Sequence, residues 1–291
     1  MKKIIYLLIM FFSIGLLSGC EKTETKMDNI NIYTTTYPIN FIINKLYEDH
    51  AKVYSVYPTG VDVDKYELST RKLEEYSKSD LFVFNSLDKD RDYAVKMINL
   101  NSKLKVIDVA TGMKYNNSIE ELWLSPNNYL MMAENLKNGL AEYITNPYLV
   151  EEINDKYKDL EYEISKLDAN LTEAITSAKY KIIVTDSDVF KFLEKYGLKV
   201  ISLEENKDLS TNKVEEVKNL IKENQIKYIY STTSTTSKTN DTVTKLIKDN
   251  NLEQIKINTM HSTDGNITNS NENYITIMTN NINELKKELY K

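Results

Sequence analysis

The chain alternates short continuous apolar runs with stretches whose apolar residues recur every three or four positions. Residues 31–36 (NIYTTT) form a run of strand type, and Tyr37-Pro38 opens a helical stretch over 39–47 with Phe41, Ile42 and Leu46 on one face. Residues 53–57 form a second extended run and end at the turn signal Pro58-Thr59-Gly60. After an acidic loop, Val61 to Glu67, a helix opens at Ser69 or Thr70 with Leu73 and Tyr76 facing inward, and the apolar run Leu81-Phe-Val-Phe84 follows. Strand, loop, helix and strand within about thirty residues make a βαβ unit. Such units predict a parallel sheet with a ligand crevice at the carboxyl ends of its strands, where Asp62, Asp64, Tyr66 and Glu67 fall. A fourth strand is predicted at 104–109.

The second half repeats this grammar. Strands are expected at 180–185, 199–203, 227–230 and 255–260, and helices at 189–196 (stopped by Gly197), 214–223 and 242–249; residues 274–291 read as a strand and a closing helix. Between the halves, Pro126 starts a helix over 127–143 with Leu130, Ala133, Leu136 and Leu140 inward. From Pro147 to about Ser177 there is no Gly and no further Pro, and Val150, Ile153, Tyr157, Leu160, Ile164, Leu167, Leu171 and Ile175 keep helical spacing. Thirty residues at 1.5 Å each give a rod of roughly 45 Å, longer than one lobe needs. The rod suits a coiled-coil dimerisation helix or a connector between two lobes. The expected fold class is α/β, with two Rossmann-like units, an N-terminal one at 30–146 and a C-terminal one at 179–291, and the long helix at 147–178 between them.

Residues 1–19 carry Lys2-Lys3, then an apolar run from Ile4 to Leu17, then small residues ending at Cys20, the layout of an export signal. The run is shorter than the ~20 residues that span a bilayer. Leu17-Ser-Gly-Cys20 resembles the lipobox of bacterial lipoproteins, which implies lipidation of Cys20 and anchoring at the extracytoplasmic membrane face. Cys20 is the only Cys in the chain, so no disulfide can form within it. Residues 20–29 read as a tether. Beyond residue 19 the chain holds 35 basic and 43 acidic residues. That balance argues against nucleic acid as a partner.

The pattern P-x-G-V-D-x-x-x-Y-E over residues 58–67, followed by a helix and a buried strand ending in Asn85, resembles the substrate-binding lipoproteins of zinc and manganese ABC importers. Tyr37-Pro38 and Phe41-Ile42 are similar to that family's opening segment, Glu121-x-Trp123-Leu-Ser-Pro126 to its second ligand loop, and Tyr196-Gly-Leu198 to the end of its third. The resemblance implies two lobes joined by a long helix, an ABC permease as partner, and a transported metal ion held between the lobes. It places the four ligand positions at Asp64, Glu121, Ser187 and Asn258, none of which is the family's usual residue. Two carboxylates with neutral oxygens favour a hard divalent cation such as Mn²⁺, Mg²⁺ or Ca²⁺ over Zn²⁺.

Other candidates are weaker. His50 lies in a turn with no His or Cys beside it; His261 lies three residues past Asn258 and is within reach of the site; Trp123 reads as a packing residue. The hydroxyl run 231–239 reads as a low-complexity loop or as a polar-ligand site at a helix start. No set of nucleophile, base and orienter can be assembled, so no enzyme is expected. The function expected is an extracytoplasmic solute-binding lipoprotein, monomeric, capturing a metal ion or small solute. The alternative is a degenerate relative without metal, acting as an adhesin or accessory surface protein.

Overall fold

The computed structural model describes residues 27–206, 208–232, 237–262 and 272–291. The export signal, Cys20 and most of the tether lie outside them, as do residues 233–236 of the hydroxyl run.

In the first lobe, β1 (Ile30–Thr34), β2 (Ala51–Ser55), β3 (Leu81–Phe84) and β4 (Lys105–Asp108) form one parallel sheet in the order β2-β1-β3-β4. In the second, β5 (Ile182–Thr185), β6 (Lys199–Ser202), β9 (Tyr228–Ser231) and β10 (Glu253–Lys256) form another in the order β10-β9-β5-β6. Counted from each lobe's first strand the two orders are the same, 2-1-3-4. The chain therefore switches direction at β1 in one lobe and β5 in the other, and ligands in such sheets bind beyond the carboxyl ends of the strands at that point. A small antiparallel pair, β7 (Glu204–Glu205) and β8 (Asp208–Leu209), follows β6.

The helices of the first half are α1 (Tyr37–Tyr47), α2 (Thr70–Tyr76), α3 (Asp90–Leu100), α4 (Glu121–Leu124) and α5 (Pro126–Tyr143). Ser69 caps α2, its side chain accepting from Lys72 N at 3.4 Å. The linking helix α6 runs unbroken over Pro147–Thr176, capped by Asn146, whose side chain accepts from Tyr148 N. Its stripe of Leu149, Ile153, Leu160, Ile164, Leu167, Leu171 and Ile175 is buried against α1, α5 and the last helix, so the rod is a connector of one chain's two lobes. Gly139 lets α5 lie close on β4, because a Cβ there would meet Ile107 Cγ2 at 2.7 Å.

The second half holds α7 (Thr211–Lys222), α8 (Ser237–Asn250) and α9 (Tyr274–Leu289). Three sequence expectations need correction here. Residues Asp188–Tyr196 form a 3₁₀ segment instead of an α-helix, ended by Gly197 at φ +100°. The fourth strand of the sheet stops at Lys256, short of the expected 260, because the chain turns at Asn258 and Met260 adopts φ +56°. Residues 274–289 form one helix and hold no strand, since Asn273 and Thr276 make a capping box at its start.

Candidate metal site at the crevice

The crevice is closed by one imidazole. His261, 5 % exposed, comes from the loop after β10; its Nε2 lies 3.0 Å from Asp64 Oδ1 on the β2–α2 loop. Its Nδ1 lies 3.2 Å from Glu120 Oε1, an ion-pair contact without hydrogen-bond alignment. Glu120 is buried, and its other carboxylate oxygen accepts from the Ser118 hydroxyl. Burial pushes the imidazolium pKa down, but the Asp64 hydrogen bond and the charges of Glu120, Asp64 and Asp88 outweigh it, so the net shift is upward.

The backbone aims this ring. Asn258 Oδ1 accepts from Met260 N at 2.9 Å, and Asn258 is tied to α9 through Asn281, whose Nδ2 donates to the Asn258 carbonyl at 2.8 Å. Met260 is thereby held in the left-handed region, a conformation that costs a non-Gly residue of order 1–3 kcal/mol and is sustained by its surroundings. Across the crevice, Trp123 Nε1 donates to the Thr259 carbonyl at 2.7 Å, and the Trp123 carbonyl accepts from Tyr274 Oη at 2.6 Å. The indole lies 6.2 Å from the His261 ring, nearly parallel. Trp123 is thus a packing residue, as read from the sequence, and its packing also fixes the loop that carries His261.

The four positions carried over by resemblance are not gathered in one place by any contact. Asp64 faces His261. Glu121 accepts from Asn117 N and Nδ2, each at 2.9 Å, and from Asn116 N and Ser118 N at 3.2 and 3.4 Å. Its carboxylate is spent on the turn before α4, while Glu120 beside it reaches the imidazole. Ser187 Oγ is buried without a hydrogen-bond partner, at the carboxyl end of β5. Asn258 uses its side chain to make the turn. Asp186 and Asp188, which flank Ser187, accept from Thr232 N and pair with Lys191 respectively. His50 lies elsewhere, clasped between Asp28 and Glu152 where the chain enters the first lobe. Among the described residues no group of three or more His, Cys, Asp or Glu side chains is arranged to hold a metal ion.

What the sequence missed is Glu120. Its signal was present in the doublet Glu120-Glu121, where helical phase at the start of α4 turns only one of two adjacent carboxylates toward the crevice. Asp88, at the carboxyl end of β3, also acts on His261 and carried no motif.

Residues 32–288 match the family described as ZnuA, zinc-uptake complex component A, periplasmic. The chain belongs to this family. The resemblance to the substrate-binding lipoproteins of zinc and manganese ABC importers read from the sequence is therefore borne out, and so is the fold. The zinc-binding lipoprotein AdcA of Streptococcus pneumoniae is 26% identical over 99% of this chain and 61% of its own length. The chain thus spans about three-fifths of that relative. The iron-binding protein YfeA of Yersinia pestis is 24% identical over 74% of this chain and 73% of its own length. Among solved structures, the Zn(II)-bound ZnuA-like domain of S. pneumoniae AdcA superposes with a TM-score of 0.73 at 24% identity, covering 90% of this chain and all of that one. The family is one of solute-binding proteins. Among the described residues no helix is long and apolar enough to cross a membrane.

Proposed function

We propose that this protein is the extracytoplasmic receptor of a metal-type ABC importer and captures zinc in the crevice, with His261 Nε2 and Asp64 as donors and Glu120 behind the imidazole. The observation that carries this is the contact of His261 with carboxylates on both ring nitrogens. A metal-binding His usually has a carboxylate or carbonyl behind its second nitrogen, which sets its orientation and raises its basicity. Neutral imidazole with carboxylate is a common zinc donor set, and water can complete the coordination.

The hard-cation expectation rested on a site without imidazole. His261 removes that premise, and the names of the family and of AdcA favour zinc. The alternative of an adhesin without metal loses ground for the same reasons. The ligand assignment also shifts: Glu120 stands in for Glu121, and His261 for Asn258, while Ser187 remains a polar lining residue.

The remaining parts of the account are a permease partner, a lipid anchor at Cys20, a monomeric state, and lobe boundaries near 146 and 179. AdcA is itself named a lipoprotein, which supports the anchor. Cys20→Ala should release the protein into the medium or leave its precursor uncleaved; unchanged retention on cells with detergent extraction would remove the anchor.

The test of the receptor role is zinc uptake in cells lacking the gene. The wild-type gene should restore growth under zinc limitation, and His261→Ala should not. Equal rescue by both would place the protein outside zinc uptake.

A further inference from the structure

The loop that presents Asp64 is sewn to the start of α3. Lys89 Nζ donates to the Tyr66 carbonyl at 2.7 Å and to the Asp64 carbonyl at 3.2 Å. The same ammonium lies 3.9 Å from Glu67 Oε1 and 5.9 Å from the centre of the Tyr57 ring. One residue on, Asp90 accepts from Tyr57 Oη at 2.6 Å, and one turn on, Tyr93 Oη accepts from Leu68 N at 3.3 Å and donates to Glu67 Oε2 at 3.0 Å. Tyr57 and Leu68, the two ends of the loop, are therefore fixed by Asp90 and Tyr93. Lys89 fixes the middle, where Asp64 meets His261.

We infer that Lys89 is a positioning residue for the cation site. It acts on the backbone of residues 64–66, so that the Asp64 carboxylate stays at the position from which it and His261 Nε2 take the same ion. This rests on the reading of Asp64 and His261 as metal donors.

The sign of the effect separates this role from its competitors. An ammonium beside a site for a dication repels the dication, so a lysine with no positional role weakens capture and its removal tightens binding. A lysine that only stabilises the fold changes the melting temperature and leaves affinity alone. A positioning lysine is opposite to the first and distinct from the second: removing its charge weakens binding, because Asp64 is no longer held.

The test compares wild type, Lys89→Met and Lys89→Arg, each stripped of metal. Hydrogen exchange of the amides of residues 62–67 is read without metal, and Zn²⁺ affinity is then measured by titration against a chelator. Lys89→Met should exchange faster over 62–67 and bind Zn²⁺ roughly tenfold or more weakly, the size expected when a group supporting a ligand is lost. Lys89→Arg should recover most of both. Unchanged exchange in Lys89→Met, or Zn²⁺ binding as tight as wild type or tighter, overturns the role of Lys89 alone. A wild type that takes up no Zn²⁺ overturns the reading of the site, and this role with it.

Discussion

His261 Nε2 and Asp64 Oδ1 are 3.0 Å apart, though 197 positions separate them and they come from opposite lobes. This contact closes the crevice, and a cation that takes both atoms as donors replaces the proton between them. A zinc ion bonds imidazole nitrogen and carboxylate oxygen at about 2.0–2.2 Å each, so one ion reaches both atoms at this separation with an angle of roughly 90°, and a tetrahedral angle needs them only a few tenths of an ångström farther apart. That small adjustment falls to the Asp64 side chain, 57 % exposed while that of His261 is 5 % exposed, with the backbone of residues 64–66 held by Lys89.

Neighbouring carboxylates should separate by function. Glu121→Ala removes an acceptor shared by Asn116, Asn117 and Ser118 and should lower stability by about 2–3 kcal/mol in urea unfolding, with Zn²⁺ affinity little changed. Glu120→Gln should do the reverse, weakening Zn²⁺ binding with a smaller loss of stability. An affinity loss in Glu121→Ala larger than that in Glu120→Gln would restore Glu121 as the donor.

Trp123 should be worth about 3–5 kcal/mol when truncated to Ala, from lost burial and the cavity left behind. Trp123→Phe keeps much of the packing but leaves the Thr259 carbonyl without its donor, and should weaken Zn²⁺ binding along with stability because the His261 loop loosens. A Phe variant with wild-type affinity would reduce Trp123 to packing alone.

Asp90 gives the fold a pH dependence of its own. Burial pushes its carboxyl up to about 6, against the hydrogen bond from Tyr57, which favours the ionised form. A folded-state pKa raised above the unfolded value of 3.8 means that stability is fully present below that value and is lost as pH rises through about 6. The difference corresponds to on the order of 3 kcal/mol. The melting temperature of wild type should therefore fall between pH 4 and pH 7 relative to Asp90→Asn. Parallel profiles for the two proteins would show that Asp90 does not titrate in this range.

The fold was legible because local signals agree with it. Pro at the start of α1, α5 and α6, Ser69 before α2, and the apolar stripe of α6 each state an element without help from the rest of the chain. The 3₁₀ segment was not legible, since residues 188–196 carry helical spacing that cannot distinguish the two windings. The site was half legible. Asp64 follows from its place after a strand of a βαβ unit, but His261 reaches it only through the turn at Asn258–Met260 and the grip of Trp123 on Thr259. The first is a local turn bond across 2 positions, and the second is a tertiary contact across 136 positions that leaves no local periodicity. Glu120 and Glu121 are adjacent, so only the helix phase could tell them apart.

The most direct test of the central claim is a Zn²⁺ titration of the metal-free protein followed by melting temperature, because a ligand that binds only the folded state raises it progressively above the dissociation constant. The account predicts a clear rise with micromolar Zn²⁺, a smaller one with Mn²⁺ or Ca²⁺ at equal concentration, and loss of the zinc response in both His261→Ala and Asp64→Ala. No shift with Zn²⁺, or a shift that survives intact in His261→Ala, would contradict it.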